Sequence, residues 1–204
     1  MIQNLGTENS AANSTTKRAS GEGEAPRGTG GFLHPERTLS ALDIRPGMTV
    51  ADFGAGGGYF TIPAARMIGT GGKVYAIDVQ KQAINLIKSR ANLEHLLHVD
   101  TIWADLELPQ GSRLADQSVD VVLIANILFQ AEKKDVILGE AWRVLRPGGA
   151  LAILEWDATP FPAGPPPESR VPKEQARTLA QSAGFTLERE FDAGDHHYGI
   201  LFKK

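Results

Sequence analysis

Cysteine is absent from this chain of 204 residues. The protein therefore cannot form a disulfide, bind a metal through thiolates or use a cysteine nucleophile. Long apolar runs are also missing: no segment reaches membrane-spanning length, and no apolar run near the N-terminus resembles a signal peptide. We therefore expect no membrane segment and a cytoplasmic location.

Positive charge is not in excess, since 21 Lys and Arg residues stand against 24 Asp and Glu and leave a net charge of −3. Nucleic acids and anionic membrane surfaces attract proteins through clustered basic residues, so we expect neither as a partner. We also expect no metal site, because the adjacent histidines His196 and His197 point to opposite faces of a strand and no acidic or histidine cluster completes a site.

The first 30 residues consist mostly of Asn, Ser, Thr, Gly, Glu and Ala, and after Leu5 the next large apolar residue is Phe32. A segment with so little to bury cannot offset the entropy that ordering costs. The composition predicts a disordered tail over residues 1–30 and one folded domain over residues 31–204.

The chain is organised around Val50–Phe60, with the sequence VADFGAGGGYF. A short apolar strand runs into Asp52, four glycines follow within five residues, and a predicted helix begins after them. Glycine allows the backbone to turn tightly and to lie close to a ligand. The helix N-terminus behind such a turn offers unpaired N–H groups, so the stretch predicts a site for a nucleotide-like cofactor.

The spacing of the glycines separates two cofactor classes. The dinucleotide pattern G-x-G-x-x-G/A needs a small residue where this chain has Tyr59. The pattern acid-x-G-x-G-x-G fits instead, and it resembles the first motif of the class I S-adenosylmethionine-dependent methyltransferases; its residues here are Asp52, Gly54, Gly56 and Gly58. An ordinary strand–turn–helix with extra glycines stays open as the alternative.

A second acid follows the glycines at about the distance expected for a ribose ligand. Asp78 lies near the end of the β-rich run KVYAIDV over Lys73–Val79, at the predicted carboxyl end of the second strand. A carboxylate there can accept hydrogen bonds from both ribose hydroxyls, although it can also cap the next helix. The acid does not distinguish S-adenosylmethionine from NAD.

Later segments extend the resemblance to the methyltransferases. The resemblance implies that Asp105 reaches the adenine amino group, with Ala104 and Leu106 beside the ring. Asn126 lies within the most apolar run, Ser118–Phe129, at the point where the predicted strand ends. It is either a polar contact near the methionine part or the methyl acceptor, or a turn residue. The segment RVLRPGGALAILEW resembles the helix–Pro-Gly-Gly–strand element of the ubiquinone/menaquinone-biosynthesis-like group.

The last two predicted strands form an antiparallel hairpin, as in class I methyltransferases. The resemblance therefore implies an α/β fold: a three-layer Rossmann-like sandwich around a mostly parallel seven-stranded sheet with an antiparallel final strand. The cofactor would be S-adenosyl-L-methionine, and the predicted cofactor-binding residues are Asp52, Gly54, Ala55, Gly56, Gly58, Asp78, Val79, Ala104, Asp105, Leu106 and Asn126.

The resemblance implies methyl transfer to an acceptor that the sequence does not identify and that we expect to be a small molecule. Candidate acceptor-site residues are Glu155, Arg170 and His197, although Glu155 and Arg170 would equally fit a solvated surface connection. No catalytic residue is assigned; His197 and Glu155 are the first candidates for a base. The lack of cysteine argues against acceptors held by thiolates, such as arsenite.

Three alternatives remain at this level. One is a methyltransferase-like protein that binds the cofactor without transferring the methyl group. Another is a nucleotide-dependent oxidoreductase, which Tyr59 and the final hairpin disfavour. The last is an interaction domain without a cofactor, which leaves the glycine cluster unexplained.

Overall fold

A seven-stranded sheet runs through the centre of the domain in the order β3-β2-β1-β4-β5-β7-β6. The computed structural model describes residues 33–159, 161–162 and 164–204, so the predicted tail over residues 1–30 lies outside the described residues. Neighbouring strands are parallel except at β7, which runs antiparallel to both β5 and β6. The predicted seven-stranded sheet with an antiparallel final strand is confirmed. Its strands are β1 Thr49–Phe53, β2 Lys73–Asp78, β3 Val99–Trp103, β4 Val119–Ala125, β5 Leu145–Trp156, β6 Thr186–Asp192 and β7 His197–Lys203.

Helices cover both faces of this sheet. The apolar residues of α1 and α2 pack with one face of β1, β4 and β5, and Ile87 of α3 packs on Ala76 of that same face. Ile137 of α4 and Ala176 of α5 pack in the core cluster on the other face. The result is the three-layer sandwich that the sequence predicts. The helices are α1 Pro35–Ala41, α2 Thr61–Ile68, α3 Lys81–Leu93, α4 Lys134–Val144 and α5 Lys173–Ser182.

Proline and glycine positions explain where several elements begin. Pro35 opens α1 and Pro63 lies in the first turn of α2, where the missing N–H removes no helical hydrogen bond. The Pro-Gly-Gly segment differs from the expected simple turn. Leu145 already pairs with Val119, and the regular register resumes only between Val121 and Ala150, so residues 146–149 form an irregular start of β5.

The proline-rich connection after β5 is mostly irregular in its described residues, 157–159, 161–162 and 164–172. It nevertheless contains one short 3₁₀ turn, Pro167–Ser169, because the fixed φ of Pro167 suits the first position of such a turn. Within the part of the chain that the structure describes, no helix is both long and apolar enough to cross a bilayer.

The strand order creates a crevice at one place along the sheet. From β1 the chain moves outward through β2 and β3, then returns to β4 on the other side of β1 and continues outward to β5. The connections that follow β1 and β4 therefore leave the sheet in opposite directions. In open α/β sheets, ligands bind at the carboxyl ends of the strands beside such a reversal.

Candidate functional site

A cavity of about 450 Å³ lies at this reversal, above the carboxyl ends of the four strands β1 to β4. Its size is within the range of small-molecule and cofactor sites. The wall comes from the glycine turn after β1, from the segments after β2 and β3, and from the connection after β4. The predicted cofactor residues that line it are Asp52, Gly54, Ala55, Gly56, Asp78, Val79, Ala104, Asp105, Leu106 and Asn126.

The glycine turn brings its backbone close to the cavity at Gly54 and Gly56. The φ angle of Gly54 is 73°, and a Cβ there would lie 2.2 Å from Cγ2 of Ile127. Gly56, with φ of 51°, meets no heavy atom within 4 Å on its open side, so its backbone borders free space. Gly58 differs from the prediction: it does not line the cavity, and a Cβ there would lie 3.1 Å from Cγ1 of Ile87 on α3.

Asp78 is buried at the end of β2, with its carboxylate already held in place. Its Oδ2 accepts a hydrogen bond from the backbone N–H of Gly56 at 2.8 Å, and its Oδ1 accepts one from Gln80 N–H at 2.7 Å. One carboxylate thus links the glycine turn to the start of α3. Because an ionised carboxylate has about four acceptor positions, capacity remains for ligand hydroxyls.

Asp52 lies at the floor of the cavity and accepts a hydrogen bond from Oγ1 of Thr61 at 2.6 Å. The pKa of the Asp52 carboxyl is raised to about 6, because burial and the charge of Asp78 raise it by more than the hydrogen bonds from Thr61 lower it. The protonation state of this carboxyl therefore changes near neutral pH, beside the place where a cofactor would lie.

The segment after β3 forms another wall. Asp105 Oδ1 accepts the N–H of Glu107 at 2.9 Å, which fixes the turn that carries Ala104 and Leu106. Across the mouth, the indole N–H of Trp103 donates to the Val79 carbonyl at 2.9 Å and ties the ends of β2 and β3 together.

The lining carries one sign of charge. Its ionisable carboxylates are those of Asp52, Asp78, Asp105 and Glu107, and the described lining contains no Lys, Arg or His. A concave site of this kind attracts a cationic ligand. Residues 33–159, 161–162 and 164–204 contain no cluster of three or more His, Asp or Glu arranged to hold a metal ion.

Asn126 follows β4 directly and adopts a φ of 56°, a left-handed conformation that Asn tolerates better than most residues. Its N–H donates to the Leu154 carbonyl at 2.8 Å, which ends β4 against β5. Its Nδ2 donates to Nε2 of His197 at 3.2 Å, because Nδ1 of that ring carries the hydrogen that it donates to the Asp195 carbonyl. His197 therefore contacts a cavity residue but does not line the cavity itself.

Glu155 and Arg170 do not line the cavity either, and neither of them is a solvated surface residue. The fully buried Glu155 carboxylate accepts the N–H of Leu128 at 2.6 Å. Arg170 donates to the carbonyls of Pro165, Asp157 and Thr159, so its guanidinium holds the proline-rich connection together.

Several cavity residues carry no motif and were not predicted. Six of them directly adjoin predicted positions, so a wider window around the motifs would have included them: Gly57, Tyr59, Gln80, Glu107, Ala125 and Ile127. The others are ordinary apolar or polar residues that the tertiary packing brings to the site: Leu33, Phe60, Gln130, Ala131 and Ile137.

The sheet order and the acidic cavity at its reversal are those of a class I S-adenosylmethionine-dependent methyltransferase. A family model described as "Methyltransferase domain" matches residues 44–184, well over half of the chain, so the protein belongs to this methyltransferase family. The predicted family is confirmed.

Similar proteins agree with this assignment. The crystal structure of a SAM-dependent methyltransferase from Aquifex aeolicus superposes with a TM-score of 0.77 at 30% identity, covering 84% of this chain and 89% of that one. An arsenite methyltransferase of Halobacterium salinarum is 34% identical over 58% of this chain and 30% of its own length. The ubiquinone/menaquinone biosynthesis C-methyltransferase UbiE of Escherichia fergusonii is 31% identical over 58% of this chain and 47% of its own length.

The matched segments span only part of the curated relatives, from about a third to about half of the two named here. The family implies S-adenosylmethionine as the cofactor, and the residues present fit it. Gly56 leaves open space where a Cβ would otherwise project, and the Asp78 carboxylate keeps unused acceptor capacity at the end of β2.

Proposed function

We propose that this protein is an S-adenosylmethionine-dependent methyltransferase that methylates a small organic molecule. The observation that carries the proposal is the cavity at the sheet reversal, in which Asp78 and the glycine turn are joined by a hydrogen bond of 2.8 Å. A carboxylate that is fixed in this way loses little conformational entropy when it accepts ribose hydroxyls.

In this proposal, the predicted residues contact different parts of the cofactor. Asp78 accepts hydrogen bonds from the ribose hydroxyls. Val79 and the Ala104–Leu106 segment border the adenine, and Asp105 accepts a hydrogen bond from the adenine amino group. Asp52, Gly54, Ala55 and Gly56 border the methionine part, and Asn126 stands between that part and the acceptor. Gly58 has a supporting role, because it lets the turn pack against Ile87 of α3.

The cofactor supplies an activated methyl group on a positively charged sulfur. Held by Asp78 and the glycine turn, the cofactor would supply this methyl group to a nucleophilic atom of the acceptor, and its sulfur would keep the electron pair of the carbon–sulfur bond. The protein must align the two partners and exclude water. The four cavity carboxylates complement the sulfonium and ammonium charges of the cofactor.

Relatives support a small-molecule acceptor, since the protein named UbiE acts in ubiquinone and menaquinone biosynthesis. Arsenite is disfavoured despite the similarity to an arsenite methyltransferase, because this chain has no cysteine to hold the metalloid. A cytoplasmic location belongs to the same proposal, because no disulfide ties this cysteine-free chain to an oxidising compartment.

Calorimetric titration with S-adenosylmethionine, S-adenosylhomocysteine and NAD tests the cofactor. We expect micromolar binding of the first two and none of NAD. Asp78→Asn should weaken S-adenosylhomocysteine binding by at least about tenfold, because one charged acceptor becomes a neutral amide. Asp100→Asn is the matched control, since Asp100 pairs with Lys73 on the exposed side of β3.

Unchanged affinity in Asp78→Asn would contradict the ribose assignment, and binding of NAD alone would contradict the cofactor class. Transfer itself is read from labelled methyl appearing in an acceptor when the protein is incubated with a library of small organic molecules. Binding without transfer to any acceptor class would favour the methyltransferase-like cofactor-binding alternative.

A further inference from the structure

The connection between β4 and α4, residues 126–133, supplies part of the cavity wall. Asn126, Ile127, Gln130 and Ala131 all line the cavity. This connection has no regular structure before α4 begins at Lys134. Backbone turns from Ile127 to Gln130 and Ala131 and side chains from other elements hold it in place. The position of the connection determines the width of the cavity beside the glycine turn.

Glu155 contacts this connection from the neighbouring strand. Ala125 pairs with Leu154 in the parallel register of β4 and β5, which brings Glu155 alongside the first residues after β4. The side chain of Glu155 is completely buried, and its Oε1 accepts the N–H of Leu128 at 2.6 Å. Its other oxygen is buried without a hydrogen-bond partner among the described residues.

The contact continues from Leu128 to the cofactor site. The preceding residue, Ile127, packs so closely on Gly54 that a Cβ at position 54 would lie 2.2 Å from Cγ2 of Ile127. Any shift of the connection therefore changes the packing of the glycine turn. Asn126, on the same connection, is held by His197, which gives the connection a second point of attachment to the C-terminal part of the sheet.

We propose that Glu155 is a positioning residue, whose buried carboxyl holds the β4–α4 connection against the glycine turn and thereby sets the shape of the cofactor cavity. This inference rests on the proposed function, because it concerns the shape of the cofactor cavity. The hydrogen bond between Glu155 and Leu128 can nevertheless be measured without any cofactor. Glu155 acts through Leu128 and Ile127 and touches neither substrate nor cofactor.

The strength of the hydrogen bond between the Leu128 N–H and the Glu155 carboxyl depends on whether that carboxyl is ionised. Burial raises the pKa of the Glu155 carboxyl to about 7, although the backbone N–H groups of residues 127–129 and of Trp156 favour the ionised form. The titratable group facing it is Tyr198, its cross-strand partner on β7, whose own pKa is raised by burial and by the Glu155 charge. Hydrogen bonds to an ionised carboxylate are stronger, so the connection is held more firmly as the pH rises through about 7.

The test compares the full chain with Glu155→Gln and Glu155→Leu, and Glu190→Gln on β6 serves as the control for a solvated ion pair. The first readout is the Leu128 amide in nuclear magnetic resonance spectra from pH 5.5 to 9. In the wild type its chemical shift should titrate near pH 7 and its hydrogen exchange should be slow. In Glu155→Gln the titration should disappear, and in Glu155→Leu the exchange should accelerate at least about tenfold.

The second readout is the affinity for S-adenosylhomocysteine over the same pH range. We expect the affinity of the wild type to rise through pH 7 more steeply than that of Glu155→Gln, with Glu155→Leu weaker by about tenfold throughout. Asp52 titrates in all these proteins, so the difference between the curves isolates Glu155.

A Leu128 amide that does not titrate, or identical affinity curves in all variants, would overturn the inference. If the wild type binds no S-adenosylhomocysteine, the proposed function fails and the Leu128 amide alone decides the inference. If Glu155→Leu does not fold, Glu155→Gln decides it.

Discussion

His197 makes two hydrogen bonds that only the neutral ring satisfies together. Nδ1 donates to the Asp195 carbonyl at 3.0 Å, which leaves Nε2 as the acceptor for Nδ2 of Asn126 at 3.2 Å. Protonation would place an N–H against the amide N–H₂ of Asn126. Burial lowers the pKa of His197, and the charges of His196 and Arg170 lower it further, whereas the Asp195 carbonyl and the Asp157 charge raise it.

The lowered pKa makes stability depend on pH on the acid side. The stability that the neutral His197 ring contributes is fully present above its ordinary pKa of 6.5 and is lost as the pH falls through the folded-state value. We expect His197→Gln to be about 1 kcal/mol less stable than the wild type at pH 8, and we expect this difference to shrink as the pH falls below 6.5. Urea unfolding of the wild type, His197→Gln and the exposed control His34→Gln measures this, and parallel curves for the first two proteins would refute the neutral-ring account.

The turn after β1 shows how one element combines two different demands on glycine. Gly54 and Gly56 both adopt left-handed φ angles, but only Gly54 is crowded, by Ile127 from the β4–α4 connection. Gly56 instead borders the cavity, and its N–H is bonded to Asp78. Close packing therefore leaves no room for a side chain at position 54. At position 56 a side chain would instead occupy open space that a ligand could use.

Two alanine substitutions separate these demands. Gly54→Ala should destabilise the fold by about 3 kcal/mol, because overpacking adds to backbone strain. Gly56→Ala should lose only about 1 kcal/mol of stability but weaken S-adenosylhomocysteine binding by at least about tenfold, since its Cβ projects into the cavity. Thermal unfolding and calorimetry on both variants decide this. If both variants lost the same stability and Gly56→Ala still bound S-adenosylhomocysteine normally, the distinction between the two glycines would be wrong.

Among the residues that the structure describes, two buried carboxyl groups have raised pKa values, Asp52 to about 6 and Glu155 to about 7. Their contribution to stability is fully present below their ordinary values of 3.8 and 4.5 and is lost as the pH rises through the folded-state values. Both groups belong to the cavity or its support. We therefore expect these two groups to make the protein less stable at neutral pH than at pH 5.

This effect is measurable as a global pH dependence. The free energy of unfolding of the wild type should fall by roughly 3 kcal/mol between pH 5.5 and 8.5, and the Asp52→Asn/Glu155→Gln double variant should lose less than half as much. Urea unfolding at both pH values, with Asp100→Asn and Glu190→Gln as a control pair, provides the test. A double variant with the full pH dependence would show that other groups cause it.

Much of the fold was predictable because its signals are local. The strand predicted to run into Asp52 and the helix predicted after the glycine cluster are present as β1 and α2, and the second predicted strand is present as β2. The acid-x-G-x-G-x-G spacing and the position of Asp78 also depend on a short stretch of chain. These features indicated the cofactor class without knowledge of the packing.

The roles of Glu155, Arg170 and His197 depended on the tertiary structure. The prediction placed them near an acceptor, but each is held by groups that the fold brings to it: Glu155 by Leu128, Arg170 by the carbonyls of its own loop, and His197 by Asn126, which is 71 residues away. The sequence by itself determined the strands, the helices and the cofactor motif, because these arise from neighbouring residues. The tertiary structure alone decided which polar groups face the cavity and which support its wall, because β7 enters the sheet beside β5 and hydrogen bonds between distant strands have no local signal.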